Sequence, residues 1–307
     1  MPFAGAWANA LAVLFTVALQ VVHNSATAPI LTGVKSLFQL LSRWPLPLLH
    51  ALGSGIGWLA FLLSPTYRRR FLANAAQAGY AFAQVRPAVA QAGRLVTETP
   101  RLWFGAPADV QWDGLECIEA LRAEGRGIVF LTPHLGCFEV TAQAYAQRFG
   151  AITVLYRPPR KEWLRDLVGS ARERANLHAA PTTLSGVRQM LRALKAGDAV
   201  GLLPDQVPPQ GLGVWAPFFG REAYTMTLPS RLVQQTGAAI LLAWGERLPG
   251  GGGYCVHVRP WQGELARDPQ ASAAQVNAQM EQLVRAGPTQ YLWGYARYKK
   301  PRAEALA

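Results

Sequence analysis

An α/β fold, with a mostly parallel central sheet flanked by helices, is what the sequence predicts, and three observations predict it. From about Val85 onward short apolar runs alternate with amphipathic ones. The apolar runs are bounded by Gly, Pro or Asp, as buried strands are. Strands that alternate with helices are joined by crossovers, which makes their sheet parallel and covers both of its faces. Residues 127–132 (GIVFLT) are a buried strand, 140–149 a helix and 151–156 a second strand, a β-α-β unit. Residues 161–175 and 184–196 carry helical periodicity and 199–203 are a strand. Residues 228–235 are a helix, and 238–244 and 254–258 complete the strands. Among the 307 residues there is no internal repeat, and the only low-complexity run is the turn at Gly250 to Gly253.

Ahead of this domain the chain is apolar. No Asp, Glu, Lys or Arg precedes Lys35, and residues 3–22 are interrupted only by Asn9, Thr16 and Gln20. Twenty helical residues reach about 30 Å, one hydrocarbon core. A retained segment is preferred to a cleaved signal peptide, because the positive n-region is missing although Ala26-Thr27-Ala28 resembles a cleavage site. A second uncharged stretch, residues 45–63, is followed by Arg68, Arg69 and Arg70, so the chain beyond Tyr67 belongs on the cytoplasmic side. Spanning, re-entrant and interfacial placements stay open for it, as does the choice between close packing and chance for Gly53-x-x-x-Gly57. The organisation expected is an uncharged segment at 1–34, a membrane-anchoring segment at 35–66 and an α/β domain at 67–307.

Composition narrows the function. Half of the residues are hydrophobic and 16% are charged, which excludes a disordered chain. Thirty Lys and Arg against eighteen Asp and Glu give +12, which calls for an anionic partner. Apolar and basic together favour an anionic membrane. The basic residues are dispersed and accompany no finger, RNP or helix-turn-helix signature, so no nucleic-acid partner is expected. Cys117, Cys137 and Cys255 lie too far apart for a disulfide framework or a zinc ribbon, which fits a reducing compartment.

Of five histidines only His134 has a carboxylate five positions on, in the run His134-Leu135-Gly136-Cys137-Phe138-Glu139. It follows a strand that ends at Thr132, and ligand sites of α/β sheets form at such carboxyl ends. On one continuous helix a five-residue offset turns about 140°, so the two side chains would diverge. A turn at Gly136 is therefore needed to let Glu139 hold one ring nitrogen while the other accepts a proton. The alternative, a helix-start histidine satisfied by a surface glutamate, stays open on this arithmetic alone.

These residues also carry a family resemblance. HLGCFE after a hydrophobic strand, then Tyr156-Arg157-Pro158, Pro204-Asp205-Gln206 and Pro217-Phe218-Phe219-Gly220, in that order, resemble the late acyltransferases of lipid A biosynthesis. These lauroyl and myristoyl transferases belong to the H-x4-D/E glycerolipid acyltransferase superfamily, and the similarity runs from about Leu37 to about Tyr298. The resemblance implies a glycerolipid acyltransferase-like fold and transfer of a fatty acyl group from acyl carrier protein to a hydroxyl of a lipid A precursor. The location it implies is the cytoplasmic face of the inner membrane. It makes His134 the general base and Glu139 its orienting acid, with no covalent intermediate, no cofactor and no metal. Where the family commonly shows Asn or Ser and then Trp, this chain has Cys137 and Phe138. Cys137 is read as a packing residue.

The resemblance also assigns substrate-binding residues. Arg157 sits on a stiff loop before two prolines, where a guanidinium suits a phosphate; a surface charge is the alternative. Asp205 and Gln206 end a strand and form a second wall of the site, although a loop-capping aspartate fits equally. Phe218, Phe219 and Gly220 belong to PPQGLGVWAPFFG, which the superfamily comparison makes a lining for acyl chains, with core packing as the alternative. His23, His50, His178 and His257 are most simply structural. Other acceptors remain, a different glycolipid or a lysophospholipid with acyl-CoA or acyl carrier protein as donor, as does a noncatalytic membrane lipid-binding protein.

Overall fold

Strand β2 (Ile128–Leu131) is the sequence IVFL with every side chain buried, and the computed structural model builds its sheet around it. The structure describes residues 36–156 and 175–303. The sequence expectations for residues 1–34 and for Arg157 lie outside the described residues, as does all but residue 175 of the helix expected at 161–175. The chain forms two compact units, residues 36–106 with 292–296, and residues 107–291 with 297–303.

In the larger unit β1 (Val110–Asp113) and helix α5 (Leu115–Ala123) precede β2, and α6 (Phe138–Arg148) and β3 (Ile152–Tyr156) follow it. Then come β4 (Leu177–Pro181), α7 (Leu184–Lys195), β5 (Ala199–Leu202), β6 (Gly213–Phe218) and β7 (Arg221–Met226). Helix α8 (Leu228–Thr236), β8 (Ala239–Arg247), β9 (Tyr254–Pro260) and α9 (Pro269–Ala286) complete it. The sheet has seven strands in the order β1-β9-β8-β2-β5-β3-β4. Pairing is parallel from β8 to β4, with Ile128 opposite both Ala199 and Ala239. Only β8 and β9 run antiparallel, joined through the glycine turn, and β1 is parallel to β9 at the edge.

The mostly parallel sheet agrees with the sequence, and the predicted strands at 127–132, 151–156, 199–203, 238–244 and 254–258 appear within a few residues. Within the larger unit six elements were not foreseen: β1, α5, β4, β6, β7 and α9. His178 lies on strand β4. In the 208–220 stretch, expected as a lining for acyl chains, residues 213–218 form strand β6, paired antiparallel with β7. Strands of only four to six residues give too little period-2 signal to be seen beforehand.

The smaller unit is helical. After a helical stretch at residues 36–42 come α1 (Leu46–Leu63), α2 (Pro65–Gln77), the single turn α3 (Phe82–Val85) and α4 (Pro87–Phe104). Pro47 stands in the first turn of α1, where it has no hydrogen bond to lose, so the prolines start this helix rather than break it. α1 packs along α4, and its glycines are the reason it can. A Cβ at Gly57 would stand 2.2 Å from the Val89 carbonyl oxygen, and one at Gly93 would stand 1.9 Å from that of Gly53. Gly53-x-x-x-Gly57 is thus a close-packing face. Asn74 of α2 donates to the carbonyls of Trp293 and Tyr295 and ties in residues 292–296. The unit therefore closes after residue 106 rather than at the expected 66, because α4 covers the inward face that α1 cannot bury alone.

Candidate active site

Adjacent parallel strands deliver their following loops to the same sheet edge, and β2 and β5 are adjacent. The loop after β2 carries His134, the loop after β5 carries Asp205, and the Thr132 N–H donates to the Leu202 carbonyl to lock the two ends together at 3.0 Å. His134 and Asp205 are both buried. The His134 main-chain N–H donates to Asp205 Oδ2 at 2.9 Å, and its ring Nδ1 lies 2.7 Å from Oδ1. One carboxylate thus fixes backbone and ring together.

The tautomer follows from charge. Burial alone would raise the Asp205 carboxyl, but the His134 charge, its two hydrogen bonds and the Arg297 guanidinium outweigh burial and hold Asp205 below the usual carboxylate range. An ionised carboxylate only accepts, so Nδ1 keeps its proton, and in the neutral form of the ring it is Nε2 that offers a lone pair. Gln206 Nε2 stands 2.9 Å from that Nε2 and donates to it. Behind Asp205 the Tyr291 hydroxyl lies 3.3 Å from Oδ2. Burial first, and the Asp205 charge second, raise that phenol well above its ordinary range, so it stays a donor. Arg297 is held by the Tyr224 carbonyl, Thr225 Oγ1 and Asn277 Oδ1 at 2.7, 2.6 and 3.1 Å.

The turn required at Gly136 is present. Its φ is +58°, and a Cβ there would stand 2.0 Å from the Gly245 carbonyl oxygen of β8. That same carbonyl accepts the Cys137 N–H at 2.7 Å, which seats the start of α6. Cys137 is fully buried at this junction, in keeping with a packing role. Glu139 is in the first turn of α6, half-buried. The sequence expectation gave one ring nitrogen to Glu139; Asp205, 71 positions away, stands at ring Nδ1. The Phe138 ring meets the imidazole edge-on, with centroids 5.0 Å apart.

Phe138 also leads into a cavity of about 40 Å³ between α5, α6 and the sheet. Its lining runs from Thr132 and Leu203, at the ends of β2 and β5, to Phe130, Thr141, Ala142, Tyr145, Ile152 and Val256. The walls are mostly apolar. That volume holds about three water-sized groups, so a longer chain enters only as side chains part. Phe218, Phe219 and Gly220 do not line it. They turn the β6–β7 hairpin, with φ of +47° at Phe219 and +72° at Gly220, and Phe219 N–H donates to Glu281 of α9. Among the described residues no three His, Cys, Asp or Glu side chains converge as metal ligands.

Sequence reasoning placed Asp205 and Gln206 near the site but missed their bonds to His134, and it missed Tyr291 and Arg297 altogether. The order of strands in the sheet would have revealed the first pair. Nothing in the sequence around Tyr291 and Arg297 marks them.

A carboxylate-held histidine whose ring meets Phe138, itself a wall of a mostly apolar cavity, is an arrangement suited to acid–base chemistry. The fold and site therefore define the class as an α/β protein with a histidine–carboxylate site at the carboxyl ends of its strands. Comparison with known proteins makes that particular: the model for bacterial lipid A biosynthesis acyltransferases matches residues 31–300, and the chain belongs to this family and is an acyltransferase. It is 27% identical over 278 residues to the lipid A biosynthesis lauroyltransferase of Escherichia coli K12, covering 85% of this chain and 88% of that protein. It is 26% identical over 212 residues to the palmitoleoyltransferase of the same organism, covering 67% and 68%. A lipid A biosynthesis acyltransferase of Haemophilus influenzae is 26% identical over 272 residues, covering 83% and 85%.

Proposed function

We propose that this chain transfers a fatty acyl group from the thioester of acyl carrier protein to a hydroxyl of a lipid A precursor, at the cytoplasmic face of the inner membrane. The observation that carries the reading is the orientation of His134, with Nδ1–H on Asp205 and Nε2 facing the Gln206 amide that the acceptor hydroxyl displaces. The acceptor hydroxyl takes the place of the Gln206 amide at Nε2. As its oxygen attacks the thioester carbonyl, its proton passes to Nε2, and the imidazolium so formed is stabilised by Asp205. Collapse of the tetrahedral intermediate expels the thiolate, which recovers the proton from Nε2. Acyl group and proton balance without a covalent enzyme intermediate or a cofactor. Proton transfer of this kind contributes about 10² to 10⁴ in rate, and positioning supplies the rest.

The first part of the acyl chain enters the cavity beneath Phe138. Arg157 and the other basic residues meet the phosphates of the acceptor, the acidic carrier protein and the anionic membrane, in line with the net charge of +12. Glu139, which the resemblance implies as the orienting acid, is the second candidate for holding the imidazole. Comparing Glu139→Gln with Asp205→Asn assigns that work.

The relatives' names specify lauroyl and palmitoleoyl groups, so the length of the chain transferred is left to experiment. The test is mass spectrometry of lipid A from cells with the wild-type chain, with His134→Ala and with the gene deleted. One acyl group is expected to vanish in both altered strains. Unchanged lipid A in the deletion strain would refute the acceptor, and transfer by the purified protein to a lysophospholipid would then identify the other.

A further inference from the structure

Helix α1 is 18 residues long and apolar enough to cross a membrane. Its neighbour forbids the crossing. α4 runs antiparallel along α1 and fastens polar groups to it from Trp44 to Ser54, the middle of the helix. The Arg101 guanidinium donates to the Trp44 carbonyl at 3.0 Å, just before α1 begins. Thr97 Oγ1 donates to the Leu49 carbonyl at 2.6 Å, and Glu98 is paired with His50 at 3.0 Å, both side chains buried. Arg94 Nε donates to Ser54 Oγ at 2.9 Å, and Ser54 is the middle of α1. A spanning α1 would carry Arg94 and Glu98 to the centre of the hydrocarbon, where ionisable groups are most costly.

The opposite face of α1 is built for lipid. Leu48, Leu52, Leu59, Leu62 and Leu63 are 43% to 72% exposed, and with Gly55 they recur at steps of three and four, one stripe of the helix. Cations stand at both ends of that stripe. Arg43 is exposed before its start; Arg68, whose guanidinium donates to the Leu62 carbonyl, and the exposed Arg69 follow its end. A helix lying flat brings both groups to the phosphates of one leaflet.

We propose that α1 lies in the plane of an anionic bilayer, its leucine stripe entering one leaflet while α4 stays on the aqueous side. This deepens the membrane association proposed above and replaces a crossing by a monotopic contact. The uncharged residues 1–34 would by themselves hold the chain on vesicles, so co-sedimentation does not discriminate, whereas depth does.

The test uses the full chain with Cys117→Ser and, one at a time, Leu48→Cys, Leu52→Cys, Gly55→Cys, Leu59→Cys and Leu62→Cys, each carrying a nitroxide. Depth is measured from collision with oxygen and with a nickel chelate on vesicles of phosphatidylethanolamine and phosphatidylglycerol. Each labelled chain is first checked for native circular dichroism. The expected result is one shallow depth for all five, about 5 to 10 Å below the phosphates. A depth that changes steadily along α1, over about 20 Å from position 48 to 62, would mean a crossing and overturn the proposal. Labels that collide as in water or inside protein would overturn it too. Acyl transfer to detergent-dispersed acceptor is assayed alongside. Transfer without lipid-facing labels removes this inference and leaves the proposed function, and shallow labels without transfer do the reverse.

Discussion

Asp205 grips His134 twice, through the ring Nδ1 at 2.7 Å and through the main-chain N–H at 2.9 Å. Both of those partners are donors, so both carboxylate oxygens must accept. Asparagine in the same place has one acceptor oxygen and one donor nitrogen. Asp205→Asn therefore either breaks the backbone bond or turns the ring to the Nε2–H tautomer, which has no lone pair where the hydroxyl arrives. We expect kcat to fall by about 10² to 10⁴, the usual contribution of a general base, with KM for the acceptor changed far less. Steady-state kinetics on the purified variant, with circular dichroism to check folding, measures it. An Asp205→Asn chain of near-normal kcat would end the tautomer argument.

Gln206 supplies a sharper contrast. Its amide donates to Nε2, so the acceptor hydroxyl must displace it. Removing the amide with Gln206→Ala opens that position, and kcat/KM should stay within about tenfold of wild type. Gln206→Glu adds no atom but replaces a donor with an ionised acceptor, which draws a proton onto Nε2 and stabilises the imidazolium. Its kcat should fall by about 10² or more, with activity recovering as pH rises. Equal losses in the two variants would show that Gln206 serves only to fill space.

How much of this site the sequence could yield depends on where each partner lies along the chain. His134 was legible because a strand, a proline and a glycine precede a helix within a few residues, and local chemistry fixes all of them. The Gly136 turn was likewise required by the five-residue offset to Glu139. Asp205 lies 71 positions on, and its bond to His134 exists only because β5 pairs with β2. Strand order depends on which crossovers close the whole sheet, and no local pattern states it. The same holds for β9, whose antiparallel pairing with β8 follows from a short glycine turn but whose partner β1 comes from far upstream. For α1 the hydropathy was legible while the placement was not, because the polar side chains that decide it belong to α4.

Ala142 tests the cavity. It lines the space beneath Phe138 from the first half of α6. Ala142→Phe fills more than the roughly 40 Å³ there and bars deeper entry of an acyl chain. Donors with long chains should lose about 10- to 200-fold in kcat/KM relative to short ones, the range expected for one or two displaced methylenes. A competition assay with mixed acyl carrier protein thioesters reads the ratio directly. An unchanged ratio would place the chain elsewhere.

Two carboxyls give the acid stability of the larger unit a defined sign. Asp113 is held down to about 2 by its hydrogen bond with Arg259 first and by His257 second, and His257 also reaches Glu246 at 2.8 Å. Asp205 is held below the ordinary range against the pull of burial, by His134 and then Arg297. In the unfolded chain both titrate near 3.9. A depressed folded value means that each contribution is complete above about pH 4 and is lost as pH falls through the folded value. Stability should accordingly drop between about pH 4 and pH 2. Asp113 is about half exposed, so its share is at most about 1 kcal/mol, and Asp113→Asn should flatten the slope only slightly. Asp205 is fully buried, and its protonation leaves two His134 donors sharing one acceptor less, so Asp205→Asn should remove more of the slope. Guanidinium unfolding at pH 5, 4, 3 and 2 measures both, and a wild-type stability that rises toward pH 2 would contradict the depressed values.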